Sequence, residues 1–466
     1  MKKDYQTHVF TMTYTADVSG VCSAMYELGG MSVLHDPSGC NSTYSTHDEP
    51  RWFDTDSLMY VSGLDEITAV MGDDNVLIRD VVQAAHDLQP RFITLCGASI
   101  PHIIAFDFRG VAYLIEKECG IPVLPVPTDG LKSYVSGVGL ALSAWLERFA
   151  DPKEYREYRA SGSENGALDD SSVSDLKEAD PEKGRPRINI VGATPLDFSV
   201  NGNIQSLKKC FEEAGYVVNC CMAMGTYGSD STGESTGACI AEAGSTTAQT
   251  AAAEKNTGMS ARDRLFERMQ HAYRADVNVV VSSAGRKPAA LMKKKSGMPF
   301  VEGLPIGAEQ TKALLDAVSE TIRDGISRKA WSDSAAGAAG QASDAAGCPS
   351  TKDSILVIGE EIFAKSFSNA INMLPETVRK GRTASPMWPD VDEGIAETDL
   401  AEAVRNSAVV IADPLYRTIL QSPRAAGRTI QFIDFPHEAY SGRIYREDIP
   451  VFCSAEFSIQ QLLGKC

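Results

Sequence analysis

Three cysteines in the first hundred residues carry the chemistry to grip an inorganic centre. Cys22 lies in Asp17-Val-Ser-Gly-Val-Cys22, at the start of an expected helix; Cys40 closes the turn His35-Asp-Pro-Ser-Gly-Cys40; Cys96 ends the apolar run Arg91-Phe-Ile-Thr-Leu-Cys96. Each has glycine close by at an expected element end, where backbone can approach a bulky group. Three thiolates from three separate segments suit an iron–sulfur cluster, which cysteine sulfur holds. A structural zinc site draws instead on C-x2-4-C pairs, and the sequence contains none. A [4Fe–4S] cluster wants a fourth ligand: a carboxylate, another thiolate, water, or a residue of a partner subunit. Asp36, four residues before Cys40, is the carboxylate candidate, although Asp36-Pro37 reads first as an ordinary turn opener. His35 and His102 flank these cysteines in sequence and read either as structural histidines or as hydrogen-bond donors to sulfur and proton carriers. Cys119, Cys210, Cys220, Cys221 and Cys453 lie in or beside apolar runs and read as packing.

Positioning these thiols requires strands and helices in alternation. Residues 1–150 hold strand-like runs at 58–62, 91–96 and 121–125, with helical patterns at 75–86, 110–118 and 134–149 between and after them, and Asp73 and Asp74 as helix-capping candidates. That alternation means βαβ units and a parallel sheet, with functional residues at the carboxyl ends of the strands, among them Tyr60, Ser62 and Gly63. A polar linker follows at 160–186. A second α/β domain spans 187–330, interrupted by a mobile insertion at 228–258 that is rich in Ser, Thr, Gly and Ala. A low-complexity linker at 331–353 leads to a third α/β domain at 354–466. The expected fold class is α/β: three Rossmann-like domains, each a mainly parallel sheet flanked by helices, with two or three disordered or loop insertions. Ile190-Val-Gly192 and Val357-Ile-Gly359 open two successive domains in the same way.

In this order the motifs resemble those of component 1 of nitrogenase and its relatives. That superfamily includes the molybdenum–iron protein subunits, the cofactor-assembly scaffold, dark-operative protochlorophyllide reductase and the nickel-sirohydrochlorin reductase. The resemblance rests on Cys22 opening a helix, the His-x-x-x-Gly-Cys turn from His35 to Cys40, the Gly63-Leu-Asp-Glu66 and Gly72-Asp-Asp-Asn75 segments, Cys96 within a pattern beginning at Pro90, the run Pro122–Pro127, and the glycine-rich helix entry at 136–140. Gly297-Met-Pro-Phe300 with Leu304-Pro-Ile-Gly307 and Thr311 adds a weaker match near the family's substrate pocket. The resemblance implies Cys22, Cys40 and Cys96 as cluster ligands. It also implies a separate ATP-hydrolysing iron protein as electron donor, a dimer with itself or a homologous subunit, and a small-molecule substrate such as a tetrapyrrole. Two family features have no counterpart: the cysteine that anchors the active-site metal cofactor in the catalytic nitrogenase subunit, and its partner histidine, since His437 sits in the different setting Phe435-Pro-His-Glu.

Bulk properties narrow the alternatives. The 466 residues are 43% apolar with a formal charge of −18, which argues against a nucleic-acid partner. No apolar run is long enough for a membrane span, so a cytoplasmic protein is expected. Neither a G-x-x-x-x-G-K-[ST] loop nor a G-x-G-x-x-G turn after a strand occurs, so ATP and dinucleotides belong to a partner. Arg286 and Lys293-Lys-Lys295 form a basic cluster that suits either an anionic substrate or a solvated helix face. Three functions follow: a reductase subunit, a non-catalytic cofactor-assembly scaffold, or a tetrapyrrole or metal-chelate binding module without a redox centre.

Overall fold

A computed structural model describes residues 9–10, 15–37, 49, 51, 57–164, 184–198, 203–222, 261–331, 354–388, 396–425, 429–437 and 449–464. Cys40, the insertion at 228–258 and most of the two expected linkers lie outside the described residues.

The described strands form three parallel sheets. The first has β1 (Met31–His35), β2 (Leu58–Val61), β3 (Ile93–Gly97) and β4 (Val123–Pro125), in the order β2-β1-β3-β4. The second has β5 (Arg187–Val191), β6 (Val217–Cys221), β7 (Val277–Val280), β8 (Phe300–Glu302) and β9 (Arg328–Lys329), in the order β6-β5-β7-β8-β9. The third has β10 (Ser354–Ile358), β11 (Thr383–Met387), β12 (Val409–Ala412) and β13 (Gln431–Asp434), in the order β11-β10-β12-β13. All their pairings are parallel, and in each sheet the first strand lies between the second and the third. The fold is the expected α/β class, three mainly parallel sheets flanked by helices.

Around the first sheet, helices α1 (Asp17–Met25), α2 (Glu66–Met71), α3 (Asn75–Leu88), α4 (Ser99–Ile103), α5 (Phe108–Cys119) and α6 (Tyr134–Phe149) are followed by α7 (Lys153–Glu164). Leu77, Ile78, Val81 and Ala85 form one face of α3, and Phe108, Val111, Ala112 and Ile115 one face of α5. Both faces pack on Met31, Val33, Ile93 and Leu95, and each fully buried side chain is worth about 2 kcal/mol. The opposite sheet face, with Leu34, Phe92 and Cys96, is covered by α1 and α6. Strands buried on both faces read as continuous apolar runs, which is why β3 is visible in the sequence. The sequence reading missed β1, whose five residues are all buried at the middle of the sheet.

Other expectations need correction. Cys22 lies inside α1 rather than at its start, and α7 continues through residues 160–164, which were expected in the linker. Asp74 makes no side-chain cap on α3; Asp73 instead accepts from Asn75 N at 3.2 Å. The last described helix is the short Ile459–Leu463.

Helices α1 and α6 cross at glycine. A Cβ on Gly20 would stand 2.1 Å from the Tyr134 carbonyl oxygen, and one on Gly137 would stand 1.9 Å from that of Asp17. Only glycine permits so close an approach. Their N-termini are also joined, with Asp17 N donating to Lys132 O and Tyr134 N to Thr15 O, both at 2.9 Å.

Of the elements beyond, α8 (Asn203–Glu213), α9 (Ala261–Gln270), α10 (Arg286–Ser296) and α11 (Gly307–Asp324) flank the second sheet, and α12 (Glu361–Met373) and α13 (Glu397–Arg405) the third. One core spans both sheets, with Val279, Leu304 and Leu314 packing in the same cluster as Val357, Phe363 and Phe367.

Candidate functional site

The tight helix crossing places Cys22 against the carboxyl end of β3. Cys22 and Cys96 are 1% and 0% exposed, both unoxidised, and their thiols are in hydrogen-bonding contact. Cys96 Sγ also points at Val33 O, 3.8 Å away. The contact with Cys22, burial and the nearby Asp17 together push the Cys96 thiol well above the usual thiol range. Without a cation the Cys96 thiol is therefore neutral; a bound metal ion would reverse that preference. After Cys96 the backbone is pinned: Gly97 N donates to Thr128 Oγ1 at 3.1 Å and Thr128 Oγ1 donates to Gly97 O at 2.5 Å.

Two of the three sequence-derived cysteines thus meet, from two different elements. Cys40 lies outside the described residues, but the residues on either side of its segment are anchored at this edge. On one side His35 Nδ1 and Ser62 Oγ are 2.9 Å apart, and Asp36 N donates to the same hydroxyl at 3.2 Å. On the other, Arg51 Nη2 donates to Ser23 O at 2.8 Å and Ser23 Oγ at 3.0 Å, one residue after Cys22. Asp36 is buried at the end of β1. His35 packs against Phe106, the rings tilted at 38° with 4.3 Å between centroids, and burial lowers its pKa to about 4, so its imidazole is neutral at physiological pH. His102 is on the exposed side of α4. Among the described residues no group of three His, Cys, Asp or Glu is arranged to hold a metal ion.

Sequence reasoning missed two groups. Arg51, 2% exposed, pairs with Glu27 at 3.0 Å and with both oxygens of Glu49 at 2.5 and 2.7 Å, and lies 4.6 Å over the Tyr26 ring. Glu27, Glu49 and Arg51 show no periodic signal, so nothing in the sequence marked them as a buried cluster. Asp17, also fully buried, accepts from Gly130 N at 2.9 Å and Asp129 N at 3.2 Å. Burial raises its pKa to about 6 against those hydrogen bonds.

A cavity of about 250 Å3 opens beside His35, lined also by Tyr60, Ser62, Asp65 and Thr68. Over its rim, Ile67, Val70 and Met71 form an exposed apolar face of α2. The basic cluster is largely committed elsewhere. Arg286 donates to Glu302 at 2.9 Å and to Glu361 at 3.0 Å, Lys293 to Ser327 at 3.0 Å, and Lys295 lies 3.4 Å from Glu147. His437 is buried and stacks on Phe363 at 4.2 Å. Among the described residues no helix is long and apolar enough to cross a membrane.

The chain is similar in sequence to several known proteins. The chain is 23% identical over 300 residues to the nitrogenase iron-molybdenum cofactor biosynthesis protein NifE of Methanococcus maripaludis, covering 63% of this chain and 48% of that one. It is 23% identical over 161 residues to the light-independent protochlorophyllide reductase subunit N of Chara vulgaris, covering 33% and 34%. It is 21% identical over 262 residues to the nitrogenase molybdenum-iron protein alpha chain of Methanosarcina barkeri, covering 56% and 37%. The matches span less than half the length of each of these relatives. The solved structure "Nitrogenase Cp1 at pH 5" aligns with all of this chain and 73% of its own, at 15% identity and a TM-score of 0.47. Residues 19–363, most of the chain and all of the described cysteine site except its first two helical residues, match the family model of the nitrogenase component 1 type oxidoreductases, and the chain belongs to that family.

Proposed function

We propose that this chain is the component 1 subunit of a two-component reductase. It takes electrons from an ATP-dependent iron-protein-like partner through an iron–sulfur cluster and passes them to a small-molecule substrate. The observation that carries this reading is the contact between the Cys22 and Cys96 thiols at the carboxyl edge of the first sheet. Those residues fit the cluster chemically: they are two buried soft donors from separate elements. Cys22, Cys40 and Cys96 would hold the cluster, which when bound supplies one-electron transfer. Asp36 remains the carboxylate that would complete it. The neutral His35, fixed by Ser62 and Phe106, would hold a hydrogen bond beside the centre.

Docking of the electron donor has a natural place on α2. Its apolar face of Ile67, Val70 and Met71 is exposed. It follows directly on β2, whose end binds His35 through Ser62. A face of this kind marks an interaction site. The second subunit, a homologue or another copy of this chain, belongs to the same proposal.

Anaerobic purification with iron and sulfide analysis tests the reading. The expected protein is brown, contains iron and sulfide, and loses iron when Cys22, Cys40 or Cys96 is replaced by Ala. A colourless wild-type protein, or three variants with undiminished iron, would overturn it. The alignment with a NifE cofactor biosynthesis protein over 300 residues favours a second reading, an assembly scaffold. Turnover with reductant and the matching iron protein separates the two.

A further inference from the structure

Among the described residues, Ser19 is one of the buried hydroxyls near Cys22 that the packing leaves without a hydrogen bond, together with Thr15 and Thr94. The residue is 5% exposed and its hydroxyl makes no hydrogen bond, a loss of about 1–3 kcal/mol for a buried hydroxyl. Its polar neighbours on α1 are all engaged. The Asp17 carboxylate holds the amides of Asp129 and Gly130, and the Ser23 hydroxyl accepts from Arg51 and from Tyr134 Oη. The ordinary escape for a helical serine is a bond back to the preceding turn. The Ser19 hydroxyl does not take it.

Position gives the orphaned hydroxyl a direction. Ser19 and Cys22 are three residues apart on α1 and share a face. Helix α1 feeds β1 through residues 26–30 and has its first turn tied to Asp129 and Gly130, just beyond the carboxyl end of β4. It therefore runs opposite to the strands. Ser19 lies about 4.5 Å farther than Cys22 toward the carboxyl edge, the edge where Cys96, His35 and Ser62 also end. Thr94, another buried hydroxyl without a partner, lies about 7 Å back from Cys96 along β3 and does not share this position.

We infer that Ser19 is a positioning residue for the inorganic centre, its hydroxyl donating a hydrogen bond to a sulfur of the cluster that Cys22 holds. This rests on the iron–sulfur reading above. A hydrogen bond to cluster sulfur stabilises the more negative, reduced form and raises the reduction potential.

The test uses the full-length, anaerobically reconstituted protein, with Ser19→Ala and Ser19→Thr beside wild type. Iron content is measured first, then the midpoint potential by an EPR-monitored redox titration. The expected result is wild-type iron in both variants, a potential shifted negative in Ser19→Ala, and restoration toward wild type in Ser19→Thr, which keeps the hydroxyl. An unchanged potential in Ser19→Ala, equal shifts in the two variants, or iron loss in both would overturn the inference, because each marks Ser19 as packing alone. Wild-type protein without iron would instead bring down the underlying reading.

Discussion

At the joint between the second and third sheets, Arg286 stands between Glu302 and Glu361, Lys365 shares Glu361, and Glu360 accepts from Ser283 and from the first amides of α12. Each charged group there faces a partner. At the carboxyl edge of the first sheet the inventory is different. Cys22 and Cys96 face each other as thiols, Ser19 has no partner, and Asp17 holds its charge against burial. The first cluster is complete as folded and acts as a clasp. The second is held rigidly by the α1–α6 crossing, yet the Ser19 hydroxyl has no hydrogen bond among the described residues. Buried polar groups are normally satisfied, and this exception lies at the edge where the proposed function puts the inorganic centre.

The strongest way to break this contrast is at the crossing itself. Gly137→Ala would put a methyl 1.9 Å from the Asp17 carbonyl oxygen and 2.6 Å from its carbon, contacts that only a shift of α1 can relieve. The expected cost is about 3 kcal/mol, seen in urea unfolding, and with it a loss of iron as Cys22 leaves Cys96. Gly63→Ala is the control. Its φ of +68° costs about 1 kcal/mol, but nothing lies within 4 Å of the added methyl, so iron should be retained. Equal iron in the two variants would show that the crossing does not set the site.

The two clusters should also answer pH with opposite sign. In the metal-free protein the Asp17 pKa is raised from 3.8 to about 6. Between those values the folded state keeps a proton that the unfolded chain releases, so stability falls as pH rises from about 4 to 6 and stays lower above, by about 3 kcal/mol in all. Asp17→Asn should flatten that slope and stabilise the metal-free protein at pH 7. Burial pushes Glu361 up, but Arg286 and Lys365 more than offset it and its pKa ends below the usual 4.5. Its contribution is therefore present above that value and is lost as pH falls through the folded pKa; Glu361→Gln should remove that acid-side loss. Urea midpoints from pH 3 to 8 read both slopes, and a single common slope would refute the contrast.

Cutting the clasp should cost less than distorting the crossing and should leave the site alone. Arg286→Ala strands Glu302 and leaves Glu361 with Lys365 alone, at carboxylates that water can partly reach, for about 2 kcal/mol. Iron content should not change. Iron loss in this variant would mean that the joint between the second and third sheets helps to position the cysteines.

How much of this was legible depended on the range of the interaction. The β3 run ending in Cys96 and helix α6 at 134–149 could be read because burial pattern and period are local. β1 was missed because Met31-Ser-Val-Leu-His35 is five residues wedged between Gly29-Gly30 and Asp36-Pro37, and a run that short has no period to declare it. Its histidine drew attention to the turn that follows instead. The cysteines were legible as chemistry, but the contact of Cys22 with Cys96 depends on the glycine crossing of α1 and α6, which no local pattern declares. Arg286 with Glu361, 75 residues apart, and Arg51 with Glu27 could not be read, since a charge in sequence looks the same whether it ends in water or in a buried pair. The orphaned Ser19 hydroxyl is invisible for the same reason: lacking a partner is a property of packing.

The smallest expected effect lies on the basic run of α10, where a solvated face and a substrate-facing one make different predictions. Lys293 reaches Ser327 and lies 5.4 Å over the Phe300 ring, Lys294 is exposed, and Lys295 pairs with Glu147, both about half exposed. Exposed pairs of this kind contribute little because water and salt screen them. Lys295→Ala should therefore change stability by at most about 0.5 kcal/mol and leave iron content and substrate binding as they were. Lys294→Glu should do the same while reversing a charge. A loss of affinity for an anionic substrate in Lys294→Glu, with folding and iron intact, would move the run from the surface into the site and leave the thiol edge as only one part of it.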